Sequence, residues 1–371
     1  MAIEDEDLRD RETWAGVARF WYSKAADKSP SVGRLYHHLA ILARPNALQQ
    51  LYYYSRSLTC VQPFMSARES ILTLLDPILG RSRTSYSHSL PVDTNFIKAH
   101  GILFGKLSSE GFEEALASFL SQLDNHVGRV TAKWKGQGVY IAVTNIAGLF
   151  DYGSQDSILR HVFQLYAEKS LRSSYTKRPS TPSDDDSSRS PSPVSLEPKH
   201  FSDEELSAQL LKLSSDFAFS RAYRLTFSTL ALILRRIGDK NVLPHVHVLF
   251  AFLSTAVSIS HVSAPLCGIA PWPEIVAFLN ALSKSEGHAL DTSNLFPNQD
   301  RNDNRPLPED YLIRGQVWSQ CYFPEWWFDS ERDEEERSLE PASTIKSRTE
   351  RILRLGQQIA SVRLKATIED F

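Results

Sequence analysis

Phe112, Ala115, Leu116, Phe119, Leu120 and Leu123 recur at i, i+3, i+4, i+7, i+8 and i+11, a spacing that only an α-helix gathers into one apolar face. A face of that kind must be covered, so a chain built from such segments folds by packing helix on helix. Ile345, Ile352, Leu355, Ile359 and Val362 draw a similar stripe near the C-terminus. No stretch shows sustained strand-type alternation bounded by hairpin turns. The expected fold class is all-α, with helical hairpins leading into an antiparallel α-helical array of the α-solenoid kind.

The hairpins have their own spacing. Ala18-x3-Tyr22-x2-Ala25-x4-Pro30 fits the second helix of a tetratricopeptide repeat, where small residues let helices approach and proline stops the helix. Tyr36-x2-Leu39-Ala40-x2-Ala43 then fits the first helix of the next unit. One repeat cannot bury its own apolar face, so several must stack. Met1 thus starts near the middle of a solenoid, with either an upstream cap missing or Asp5 to Arg11 serving as a short polar one. Residues 172–199 interrupt the helical pattern with nine serines and five prolines in 28 residues. Too little apolar surface lies there to offset the entropy of ordering, which predicts a disordered linker. The chain therefore divides into an N-terminal helical domain over 1–171, the linker over 172–199 and a C-terminal helical-hairpin region over 200–371. Thr181, Ser183, Ser190 and Ser192 in the linker are candidate phosphorylation sites, three of them followed by proline and Ser183 by three aspartates. Beyond it, Ser202-Asp-Glu-Glu and Pro271-Trp-Pro-Glu read as helix starts.

Charge and composition narrow the function classes. The 371 residues carry 41 basic and 44 acidic side chains, so no global field steers the molecule to nucleic acid, and any such binding rests on a local patch. Cys60, Cys267 and Cys321 lie far apart, without metal or redox spacing. The acidic start, without an apolar core, predicts no leader peptide, and the apolar run from Val242 to Ile259, broken by Pro244, His245 and His247, is expected to fall short of a membrane span. His245 and His247, two apart on a helix, diverge by roughly 200° and hold no metal between them. No phosphate loop, nucleophile elbow or zinc-protease signature occurs. Neither an enzyme, a cofactor, a membrane partner nor a small-molecule substrate is expected.

One cluster stands out. Between Arg34 and Arg83 six arginines face two acids, Glu69 and Asp76. Arginine forks onto phosphates and stacks on bases, and His37, His38 and Tyr52 to Tyr54 lie among them. Such residues either form a surface for single-stranded nucleic acid or fill and cap the hairpins. Three consecutive tyrosines on a helix cannot all face one ligand, so at least one points into the core. Arg34, His37, His38, Arg56, Arg68, Arg81 and Arg83 are the candidate binding residues. Lys133 and Lys135, flanking Trp134, form a second candidate, or else a solvated helix end with the indole turned inward.

Two blocks and their order carry a resemblance. The first runs from Gly33-Arg-Leu-Tyr-His-His-Leu-Ala through Tyr52-Tyr-Tyr-Ser-Arg-Ser-Leu to Pro63-Phe and Ala67. The second is Leu307-Pro-Glu-Asp-Tyr-x2-Arg-Gly with Tyr322-Phe-Pro-x2-Trp-Phe. The chain resembles the EST/SMG family of telomerase-associated and nonsense-mediated-decay adaptors, in its filamentous-fungal form. That resemblance implies a non-catalytic nuclear adaptor, with shuttling to the cytoplasm as an option. The implied partners are single-stranded telomeric DNA or telomerase RNA; the alternative is a scaffold that recruits decay factors to a phosphorylated mRNA-decay helicase. The family's phosphoserine pocket is built from helices upstream of the part matching Met1, so none of its residues is carried over.

Overall fold

The computed structural model describes residues 8–81, 90–176, 203–213, 215–259, 262–263, 266, 268, 270–286, 295–296, 305–329 and 342–369. The chain opens with α1 (Leu8–Lys28), α2 (Gly33–Leu42) and α3 (Ala47–Thr59), each packed on the next. Pro30 lies just past the end of α1. The Asn46 side chain accepts a hydrogen bond from the Gln49 amide and so starts α3. The short α4 (Ala67–Ser70) and α5 (Leu72–Ile78) lead to the hairpin of α6 (Pro91–Phe104) and α7 (Ser109–Val130). The predicted α7 stripe faces inward: Phe112, Ala115, Leu116, Phe119 and Leu123 are buried and Leu120 is half-buried.

Two helices sit at the centre. In α8 (Trp134–Leu149) most positions are buried, and it packs against α3 on one side and against α11 and α12 on the other. After α9 (Ile158–Thr176) and α10 (Asp203–Leu213) come α11 (Phe217–Leu234), N-capped by the Asp216 carboxylate, and α12 (Leu243–Val257). Every residue of α12 is buried, as a helix apolar on all sides requires. The described α-helices that follow are α13 (Trp272–Glu286), α14 (Pro308–Ile313) and α15 (Ala342–Glu369), the last lying along α12. Ile352, Leu355 and Ile359 of the C-terminal stripe are buried there.

The fold is all-α: among the described residues the only extended pairings are two isolated bridges, Val32 with Gln62 and Cys60 with Gln316. No described helix is long and apolar enough to cross a membrane. Helix α9 reaches Thr176, so the first five residues of the 172–199 segment are helical; its candidate sites Thr181, Ser183, Ser190 and Ser192 lie outside the described residues. One continuous apolar core joins residues from Ala40 to Ile359. The break at 172–199 is thus a feature of the sequence, while the helices on either side share their interior.

Two histidines in that interior are held by buried hydrogen bonds. His100 Nδ1 lies 2.6 Å from the Tyr152 hydroxyl and its Nε2 3.0 Å from Asn145 Oδ1. An amide oxygen only accepts, so Nε2 carries a proton, and burial disfavours the second proton that would charge the ring. His245 Nδ1 donates to the Gly138 carbonyl at 2.8 Å. Burial pulls the His100 pKa down to about 3 and that of His245 to about 4.

Acid should therefore unfold the protein early. Below the ordinary histidine pKa of 6.5 the unfolded chain binds protons that the folded chain refuses, so stability falls as pH falls. With two such histidines the expected slope between pH 6 and pH 5 approaches about 2.7 kcal/mol per unit. His245→Gln should remove about half of it. Urea unfolding at several pH values reads both, and an equal slope in the variant contradicts the assignment.

Candidate nucleic-acid interface

The first sequence block is folded by close backbone approach. The Gly33 amide donates to the Gln62 carbonyl at 2.8 Å, and the Ser57 hydroxyl donates to the Gly33 carbonyl at 2.8 Å. A Cβ on Gly33 would sit 2.4 Å from the Ser57 carbonyl oxygen and 2.7 Å from the Phe64 nitrogen. Glycine is thus demanded by contact with the end of α3 and the strap that follows it.

The second block lands on the first. Arg56 of α3 is only 3% exposed. Its guanidinium donates to the Tyr52 hydroxyl at 3.0 Å, to the Tyr311 carbonyl at 3.1 Å and to the Arg314 carbonyl at 2.7 Å, and it lies 4.0 Å from the Tyr36 ring centre. The Tyr52 hydroxyl donates in turn to the Leu312 carbonyl, and the Val61 amide to the Gly315 carbonyl. Arg314 pairs with Asp27 of α1. Gly315 adopts φ +79°, and a Cβ there would come within 1.9 Å of the Pro30 carbonyl oxygen.

These contacts correct the sequence expectation for Arg56. A guanidinium enclosed by two carbonyls, a phenol and a ring face has no route to a phosphate. Tyr52 and Tyr54 are likewise buried, Tyr52 stacked on Tyr140 at 4.5 Å, and only Tyr53 is half-exposed. Arg68 turns inward from a half-buried position, donating to the Tyr152 carbonyl at 3.0 Å with its guanidinium 4.7 Å from the Phe104 ring.

The outer face of α2 is different. Arg34, His37, His38 and Ile41 fall at i, i+3, i+4 and i+7, one stripe turned away from buried Tyr36, Leu39 and Ala40. Arg34 and Arg44 are exposed and both histidines half-exposed. His38 stacks on Tyr22 of α1, centroids 4.7 Å apart, while His37 meets Phe64 at 5.0 Å and hydrogen-bonds Ser70 at 2.9 Å. Arg34 lies over Phe64 at 5.9 Å, and Arg44 reaches the Thr73 hydroxyl at 3.5 Å. Partial burial, then the neighbouring charges, depress both imidazole pKa values below the ordinary 6.5. At neutral pH this surface therefore offers two arginine cations, Arg34 on the stripe and Arg44 just past the end of α2, and uncharged aromatic rings.

Arg81 is exposed just past α5, and Arg83 lies outside the described residues. Lys133 is exposed and Lys135 half-exposed on the α7–α8 turn, a different element from the α2 stripe, with Trp134 between them fully buried beside His126 and His245. Tyr22, Phe64, Arg44 and Ser70 complete the α2 surface but were not among the predicted site residues. The i, i+3, i+4, i+7 spacing of Arg34, His37, His38 and Ile41 was the signal that separates this face from Arg56. Among the described residues no three His, Cys, Asp or Glu side chains are placed to hold a metal ion.

A family model described as the Est1 DNA/RNA binding domain matches residues 18–323, which takes in the first block, the α2 stripe and the second block as far as Phe323. The chain is also similar to the telomerase-binding protein EST1A of Danio rerio, 43% identical over 63 residues. That stretch is 16% of this chain and only 4% of the relative's length.

Gly33→Ala should lower stability by about 2 kcal/mol or more, because main-chain atoms on three sides must move. Gly16→Ala in α1, where nothing lies within 4 Å, should be neutral or stabilising by up to about 1 kcal/mol. Urea midpoints of the two variants check the contrast; equal shifts would contradict the packing role of Gly33.

Proposed function

The chain belongs to the Est1 DNA/RNA-binding family, and from that premise we propose that it is a non-catalytic helical adaptor that binds single-stranded nucleic acid through the outer face of α2. The supporting observation is the stripe itself: two exposed arginines bracketing a histidine pair backed by Tyr22 and Phe64. Arginine supplies phosphate contacts, and a neutral histidine already stacked on a tyrosine extends that stack to an unpaired base. The likeness to a telomerase-binding protein supports telomeric single strands or telomerase RNA as the ligand, and the nucleus as the place of action. Only two cations on this surface are free of the interior, so affinity rests on stacking as much as on charge.

A second reading, a scaffold in mRNA decay that gathers a phosphorylated helicase and decay factors, draws on the same observation from the other side. The burial of Arg56 and the inward turn of Arg68 leave a mildly charged surface suited to protein contacts.

Salt-titrated binding of a G-rich DNA single strand and of an unstructured RNA separates the two. The proposal expects binding at about 50 mM salt, and Arg34→Ala with Arg44→Ala should flatten the log–log salt slope by about 1.4, roughly 0.7 for each phosphate no longer neutralised. Unchanged helicity would place the loss at the surface. No binding of either strand at that salt would sink the proposal and leave the decay scaffold.

Binding should also tighten on mild acidification. Because both imidazole pKa values are depressed, the two histidines take up protons, and add positive charge facing the strand, only below the usual range near 6.5. His37→Gln with His38→Gln should abolish the difference in binding by the folded protein between pH 7.5 and about pH 5.5. A pH response that survives this double variant counts against the α2 stripe.

A further inference from the structure

Helix α1 uses one side to pack on α2, through Tyr22 and Ala26. Its opposite side carries a second, regular stripe. Asp10, Trp14, Val17, Trp21, Lys24 and Lys28 follow one another at alternating steps of four and three, the spacing that keeps side chains in line along a helix meeting another helix. All six are exposed, with Trp14, Val17 and Trp21 at 42%, 44% and 63%. Phe20, 44% exposed, flanks the stripe, its ring 5.4 Å from Trp21 and 4.7 Å below the Lys24 ammonium. Two indoles, a phenyl ring and a valine standing together on one helix face form an apolar patch of the kind that marks an interaction surface.

We propose that this face pairs with the same face of a second copy, α1 against α1 in antiparallel order. The charges choose the occupant and the direction. The stripe is acidic at its N-terminal end and basic at its C-terminal end, and it is symmetric about residue 19. Antiparallel pairing sets Asp10 against Lys28 of the second copy, Trp14 against Lys24 and Val17 against Trp21. It thereby forms two ion pairs and two cation–π contacts around an aromatic centre. Parallel pairing would set Asp10 against Asp10 and Lys28 against Lys28. The four apolar side chains still expose on the order of 400 Å² per copy, taking 150–250 Å² for a whole aromatic. Joining two copies then removes about 800 Å² before the lysine stems are added, the scale of a weak, reversible dimer. The paired face lies across α1 from Tyr22, so the dimer leaves the α2 stripe open and presents two of them, a bivalent arrangement for one strand.

Sedimentation velocity of the full chain between about 1 μM and about 100 μM, where an interface of this size dissociates, tests the inference. The expected result is a reversible monomer–dimer equilibrium that Trp21→Glu abolishes with helicity unchanged. Asp10→Lys alone and Lys28→Asp alone should each weaken the dimer by about tenfold, because each breaks two ion pairs of at most about one kcal/mol apiece. The two together should restore it. A monomer at every concentration overturns the proposal, including one whose tryptophans are shielded from quencher by another part of the chain. So does a dimer indifferent to Trp21→Glu, or a double charge swap that fails to restore association.

Discussion

Arg56 is the point on which the N-terminal hairpins and the segment from Leu307 to Phe328 are joined. Its charge is met by the carbonyls of Tyr311 and Arg314, the Tyr52 hydroxyl and the Tyr36 ring. A buried guanidinium is costly to desolvate and tolerable only when its donors are matched. Here Nη1 and Nη2 are matched, by groups from parts of the chain more than 250 residues apart in sequence, while the buried Nε meets no acceptor among the described residues. Gly315 can pass under the Pro30 carbonyl only without a side chain, and Arg314 pairs with Asp27 from the same crossing. The two stretches that carry the family resemblance are the two sides of one junction.

A second buried ionic cluster fixes the other side of that segment. Glu309 accepts two hydrogen bonds from Arg348, at 2.5 Å and 2.8 Å, and one from His247 at 3.0 Å. Asp310 takes the Arg351 guanidinium, the Trp327 indole N–H and the Leu307 amide. Burial alone would push the Glu309 carboxyl up, but the Arg348 charge and the donated hydrogen bonds overcome it and hold the group well below the usual carboxylate range. The Pro-Glu-Asp-Tyr run thus sits between α3 on one side and α12 and α15 on the other. Removing either carboxylate leaves a buried arginine without its partner, the expensive way to break an ion pair.

The all-α architecture was legible from periodicity because apolar spacing is a local property: the α7 stripe and the starts at Asp203 and Trp272 lie where the pattern puts them. The family was legible from the two blocks. The positions of the arginines were not, because sequence proximity between Arg34, Arg56 and Arg68 says nothing of which helix face each occupies. On α3 the residues beside Arg56 are themselves buried, and only the partner segment some 250 residues later supplies the carbonyls that draw it inward. On α2, by contrast, the helical wheel alone separates Arg34, His37 and His38 from Tyr36, Leu39 and Ala40. The sharing of one core across the 172–199 break was hidden for the same reason, since it depends on α8 meeting α11 and α12.

A single motif thus divides its faces: its inward residues assemble the fold, and its outward residues form the surface proposed to meet the ligand. The direct test is to measure stability and strand binding on the same protein, Arg56→Ala. Two carbonyls and a phenol are deprived of their donor inside the molecule, so unfolding free energy should fall by about 3 kcal/mol or more. The folded fraction should still bind single-stranded nucleic acid within about twofold of the parent, a difference of less than about 0.5 kcal/mol. Stability within about 0.5 kcal/mol of the parent, together with a tenfold loss of binding, would place Arg56 on the ligand and contradict this account.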